Sequence, residues 1–145
     1  MKRKGTKWND GKVYAALTTW DVHYDFDVTA LDGRYHISSI KTNVDISFSF
    51  PKLSPSAKLP DQLNASWNNY LENLTKHEFG HRDITVGIGE EIYQTLAGVE
   101  SYNNKSELEE EAQRLVNLKL KKLKVDQIEY DHDTCHGEKQ GAILR

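Results

Sequence analysis

The sequence predicts an α+β domain, and three observations predict it. Apolar and polar residues alternate with a period of two through much of the first fifty positions. A segment carrying all three prolines follows, and beyond Pro60 the apolar residues recur every three or four positions. A period of two marks a half-buried strand, and a period near 3.6 marks one face of a helix. A length of 145 residues suffices for one domain with its own core, so residues 1–145 read as a single domain.

The strands come first. Val22, Tyr24, Phe26 and Val28 alternate with Asp21, His23, Asp25 and Asp27. The pattern returns as Val44, Ile46, Phe48 and Phe50, interleaved with Asp45, Ser47 and Ser49. Between them lie a turn at Leu31-Asp32-Gly33 and a weaker strand from Tyr35 to Ile40; Lys12 to Trp20 is a further candidate. Each strand has one apolar face, which predicts a small antiparallel sheet covered on one side. Pro51, Pro55 and Pro60, with Ser54 and Ser56, end the sheet region.

Two helices follow. Leu63, Trp67, Tyr70, Leu74, His77, His81, Ile84, Ile88, Ile92 and Leu96 form one continuous stripe. Gly87 and Gly89 are poor helix formers and predict a bend or a split, and Gly98 a stop. A second helix is expected from Ser106, with Glu109 completing a capping box. Its apolar positions are Leu108, Ala112, Leu115, Val116, Leu120 and Leu123. The acidic run Glu109 to Glu111 reads as its solvated first turn, and Tyr130 to Arg145 as an irregular tail.

Composition narrows the function. With 19 Lys+Arg against 22 Asp+Glu and no basic block, nucleic acid is not an expected partner. No apolar run approaches the length of a membrane span, so no transmembrane segment is expected. The single Cys135 excludes an internal disulfide and a multi-cysteine zinc site. Met1-Lys2-Arg3-Lys4 leads into polar residues, not the apolar stretch of a secretory signal. Asn64, Asn73 and Asn104 each begin an Asn-x-Ser/Thr sequon, a match too short to place the protein.

The chemistry lies in His77-Glu78-Phe79-Gly80-His81, which matches His-Glu-x-x-His. Residues four apart on a helix share a face, so both imidazoles reach one ion. Glu78 is the expected general base, taking a proton from a water that zinc makes acidic at neutral pH. Random placement of these residue types yields roughly 0.02 such matches in this length. Both histidines also occupy apolar-stripe positions, where unsatisfied polar groups cost about 1–3 kcal/mol each. A bound Zn2+ removes that cost.

A catalytic zinc takes three protein ligands and keeps one position open. The richest supply of donors is Tyr130-Asp131-His132-Asp133-Thr134-Cys135-His136-Gly137. His136 is the first choice as third ligand, with His132, Asp131 and Cys135 as competitors and Glu107 or Glu110 as another route. His23 and His36 read as surface histidines.

The stretch from Trp67 through His77-Glu-Phe-Gly-His81-Arg82-Asp83-Ile84, joined to Tyr130-Asp131-x-x-Thr134-x-His136-Gly137-x-x-Gln140-Gly141-Ala142, resembles a bacterial family of predicted zinc-dependent proteases. That family has long been known only as a domain of unknown function. The likeness includes Ala15-Ala16-Leu17-Thr18 and the Pro51 to Pro60 loop. It implies a zincin-like fold, zinc on His77 and His81, Glu78 as base, and frequent export to the periplasm or beyond. Asp131, Thr134 and Gln140 are then expected to hold the tail loop or hydrogen-bond a ligating imidazole's second nitrogen, the alternative being that Asp131 and Thr134 merely form a turn. Tyr130 is either a core tyrosine or a support for the oxyanion.

The expected activity is zinc-dependent hydrolysis of a peptide bond in a peptide or protein substrate. Two alternatives remain at this level: a zinc amidase acting on a non-protein substrate, and a zinc-binding module without turnover. Four protein ligands around zinc, His132 and His136 among them, would mark the last. Oligomeric state is not legible in the sequence.

Overall fold

A computed structural model describes residues 17–50 and 61–142. Its elements are β1 (Leu17–Leu31), β2 (Arg34–Ser49), α1 (Asp61–Ala97) and α2 (Lys105–Thr134), then a short 3-10 turn, Glu138–Gln140. This is an α+β arrangement of a two-stranded antiparallel sheet followed by two helices.

The strands are joined by Asp32 and Gly33, at φ 53 and φ 75. A two-residue hairpin turn needs left-handed backbone at both positions, which Asp-Gly supplies at little cost. Val22, Tyr24, Phe26 and Val28 are half-buried, while Asp21, His23, Asp25 and Asp27 are exposed. The segments Tyr35 to Ile40 and Val44 to Phe50 are not separate strands. Ile40, Thr42 and Val44 keep one phase, so β2 runs unbroken through both. Of the further candidate Lys12 to Trp20, residues 17–20 open β1 and the rest lies outside the described residues. The proline segment 51–60 lies outside them too.

Helix α1 is continuous for 37 residues. Gly87 and Gly89 do not split it. A Cβ at Gly89 would stand 2.8 Å from Val44 Cγ2, so this glycine lets β2 approach closely. The helix stops before Gly98, whose N–H donates to the carbonyls of Gln94 and Thr95. Of the expected stripe, Leu63 alone is exposed.

Helix α2 begins one residue before Ser106, and its cap is Asn104 rather than a Ser106–Glu109 box. Asn104 Oδ1 accepts from the Ser106 N–H at 2.8 Å and the Glu107 N–H at 3.3 Å. The larger correction is at its other end. The segment from Tyr130, expected as irregular tail, remains helical to Thr134.

The described residues fall into two compact units. One comprises 21–45 and 84–126, and buries Ile88, Ile92, Leu96, Leu108, Ala112, Val116 and Leu123. Within it, Tyr35 and Tyr102 pair their backbones, and Arg34 donates to Ser101 Oγ, the Ser101 carbonyl and Asn103 Oδ1, each at 2.7 Å. The other comprises 17–20, 46–50, 61–83 and 127–142. Its apolar cluster is Tyr70, Leu74 and Ala142, with Phe50, Trp67 and Leu71 packed against them. Among the described residues no helix is long and apolar enough to cross a membrane.

Candidate metal centre

The His-Glu-x-x-His segment lies in the second of these units, within α1. His77 and His81 are buried, as their stripe positions require. Facing them from α2 is Asp131. Its Oδ1 lies 3.0 Å from His77 Nε2 and 2.9 Å from His81 Nε2. These three residues form a group able to hold a metal ion, and it is the one such group among the described residues.

The surrounding hydrogen bonds decide which ring nitrogen carries the proton. Gln127 Nε2 donates to the His81 carbonyl at 3.0 Å, which leaves Oε1 as the amide's acceptor end. That Oε1 lies 2.6 Å from His81 Nδ1, an acceptor that a proton on Nδ1 would satisfy. A second amide does the same for His77. Gln140 Nε2 donates to the Tyr130 hydroxyl at 3.2 Å, and that hydroxyl donates to the His77 carbonyl at 2.7 Å. Gln140 Oε1 is thereby aimed at His77 Nδ1, 2.8 Å away.

With both protons on Nδ1, each Nε2 presents a lone pair toward a carboxyl oxygen that is itself an acceptor. Acceptors at 2.9–3.0 Å repel unless a cation or a shared proton sits among them. Two imidazoles and a carboxylate suit a borderline-soft divalent ion such as zinc. The residues could hold a metal ion.

Packing holds the rings in place. Tyr130 stacks on His77, with centroids 4.9 Å apart and planes 9° apart, and meets His81 edge-on. This closeness depends on Gly80, where a Cβ would fall 2.0 Å from the Tyr130 hydroxyl oxygen. Burial, the leading cause, pushes the Tyr130 hydroxyl up from its ordinary value, so it stays protonated and donating at neutral pH. The tail returns to α1 through Gly141, whose carbonyl accepts from Asn73 Nδ2 at 3.2 Å. Gly137, at φ 94, passes so close to His77 that a Cβ would lie 3.0 Å from the ring.

Glu78 is also buried, and Thr18 at the start of β1 donates its hydroxyl to Glu78 Oε1. The other oxygen, Oε2, stands 3.7 Å from His77 Nε2. A carboxyl group is thus held beside the donor cluster without belonging to it. Trp20, two residues after Thr18 on β1, stacks on His81 at 5.7 Å.

The structure therefore brings together His77, His81, Asp131 and Glu78. His136, the expected third ligand, is not in the group; Asp131, named as a competitor, stands there instead. The reason is where α2 ends: Asp131 is still helical and faces inward, whereas Cys135 and His136 form the left-handed turn beyond it, at φ 50 and φ 58. His132, one position round the helix, is exposed and lies 3.5 Å from Asp133, and Cys135 is exposed. Glu107 and Glu110 are exposed in the other unit, and so is His23, 2.9 Å from Asp45. Thr134 donates to the Tyr130 carbonyl and accepts from the Gly137 N–H, tying the turn together.

Sequence reasoning gave Gln127, Thr18 and Trp20 no role. A signal for Gln127 was present. The buried stripe of α2 runs Leu108, Ala112, Val116, Leu123, and four and eight residues later it reaches Gln127 and Asp131. Polar residues in an apolar phase mark this helix just as His77 and His81 mark α1. No comparable signal exists for Thr18 and Trp20, which reach the site from a distant strand.

No curated protein and no solved structure matches the chain significantly. Its family is nonetheless clear from residues 1–137, which include both histidines, Glu78 and Asp131: they match DUF922, described as a bacterial protein of unknown function, and the chain belongs to that family.

Proposed function

We propose that this protein is a zinc-dependent hydrolase acting on peptide bonds, with His77, His81 and Asp131 holding the ion and Glu78 serving as base. The observation that carries the reading is the division of labour among four buried groups. Two imidazole nitrogens converge within 3.0 Å of Asp131 Oδ1, while Glu78 Oε2 stands 3.7 Å from His77 Nε2, its partner oxygen tied to Thr18.

When bound, the ion supplies Lewis acidity and makes water a nucleophile at neutral pH. Glu78 takes the proton of the attacking water at Oε2 and passes it to the leaving amine. Thr18 fixes the carboxyl rotamer, so the free oxygen faces the donors. Among the described residues Asp131 completes a set of three, which supports an open coordination position over a closed structural site. Peptide as the substrate class rests on the His-Glu-x-x-His pattern.

One observation favours a second reading, a metal-holding module without turnover: His77, His81 and Glu78 are each no more than 3% exposed. One experiment separates the two. Zinc content and hydrolysis of a mixed peptide library are measured for wild type and Glu78→Gln. The proposal expects one zinc in both proteins and cleavage by wild type alone, reduced at least about 100-fold in the variant. Zinc without cleavage in either protein favours the module; equal cleavage by both overturns Glu78 as base.

A further inference from the structure

We propose that Gln127 and Gln140 are positioning residues that lock His81 and His77 in the Nδ1–H tautomer and so preform the cation site. The inference rests on the metal reading above and extends it to residues that touch no ion. Each amide is held at its far end by a group that fixes its orientation. For Gln127 this is the His81 carbonyl, at 3.0 Å; for Gln140 it is the Tyr130 hydroxyl, at 3.2 Å. Each presents its oxygen to an Nδ1, at 2.6 Å and 2.8 Å.

A neutral imidazole has one N–H, and an acceptor fixed against Nδ1 places it there. Both Nε2 atoms are then lone-pair donors without any ion to select them. Gln127 reads its own histidine twice, at ring and backbone, so ring and helix are registered together. Gln140 acts through the 3-10 turn, which makes the Glu138–Gln140 segment part of the site rather than a trailing end. Partners at this distance from a metal commonly change its affinity by about 10- to 100-fold.

The test uses the full chain stripped of metal by a chelator. Imidazole nitrogen resonances of the metal-free protein report the tautomer directly. The lock expects Nδ1–H for His77 and His81 in wild type, lost at His81 in Gln127→Met and at His77 when Gln140→Met is combined with Thr134→Val, because Thr134 Oγ1 also lies 3.4 Å from His77 Nδ1. Gln127→Glu retains an acceptor and should retain the His81 tautomer, which a purely space-filling role would not require. Cobalt titration against a competing chelator should show each Met variant weakened about 10- to 100-fold, with Gln127→Glu within a few-fold of wild type.

Circular dichroism identifies any variant that fails to fold; the wild-type spectrum alone then still decides the tautomer. Nε2–H histidines in wild type, or Met variants with unchanged tautomer and cobalt affinity, overturn the lock. A wild type that shows the Nδ1–H pair yet binds no cobalt supports the lock and overturns the metal reading instead.

Discussion

Both helices bury a stripe that is largely apolar in one unit and, beyond Tyr70 and Leu74, polar in the other. In the unit of residues 84–126 the buried positions are Ile88, Ile92, Leu96, Leu108, Ala112, Val116 and Leu123. In the other unit the same phases of α1 and α2 carry His77, His81, Gln127 and Asp131. Helical periodicity decides which positions face inward; side-chain chemistry decides what an inward position is for. An apolar stripe is stabilised by leaving water and needs no particular partner. A polar one must match each donor to an acceptor, and among the described residues no buried side-chain nitrogen or oxygen lacks a partner. That matching converges on His77, His81 and Asp131, a group that could hold a metal ion.

The contrast is broken most severely by removing the acid at its focus. Scanning calorimetry with and without zinc should show a wild-type gain of about 4 kcal/mol when zinc exceeds its Kd 1,000-fold. Asp131→Ala should lose most of that gain. Ile92→Ala, in the apolar stripe, should instead cost about 2–5 kcal/mol with and without zinc alike. A full zinc response in Asp131→Ala would remove Asp131 from the site.

The same substitution in each unit should have opposite signs. Gly80→Ala drives a methyl into the Tyr130 hydroxyl, whose ring is pinned by its stack on His77. Urea unfolding should show a loss of about 1–3 kcal/mol, as for other overpacked sites. Gly87 has nothing within 4 Å of a built Cβ. Gly87→Ala should stabilise by up to about 1 kcal/mol through helix propensity. A stabilised Gly80→Ala would show that the Tyr130–His77 stack is not required.

The smallest effect belongs to the surface. A hydrogen bond from Lys119 is the main cause holding the Glu91 carboxyl below its ordinary value. A depressed carboxyl contributes stability above the unfolded pKa and loses it as pH falls through the folded pKa. The pair is half-exposed and screened, so Glu91→Gln should cost less than about 1 kcal/mol at neutral pH and nothing in acid. An equal cost at both pH values would assign the loss to packing.

Much of this was legible in the residues alone. Period-two runs located both strands, Asp32-Gly33 the turn between them, and the three-and-four spacing both helices, because local periodicity is a property of neighbours in sequence. Two histidines in an apolar phase announced the site for the same reason. What only the tertiary structure decided was everything set by distance across the chain. Whether Asp131 or His136 faces the histidines depends on how far α2 continues past Tyr130, and packing of Tyr130 against Gly80 and His77 accompanies that extension. Gln127 and Thr18 gain their roles from partners 46 and 60 residues away, and of the alternatives expected for Gln140 the partner 63 residues away selects the imidazole. No local pattern encodes such pairings; they exist once both helices and β1 are packed together.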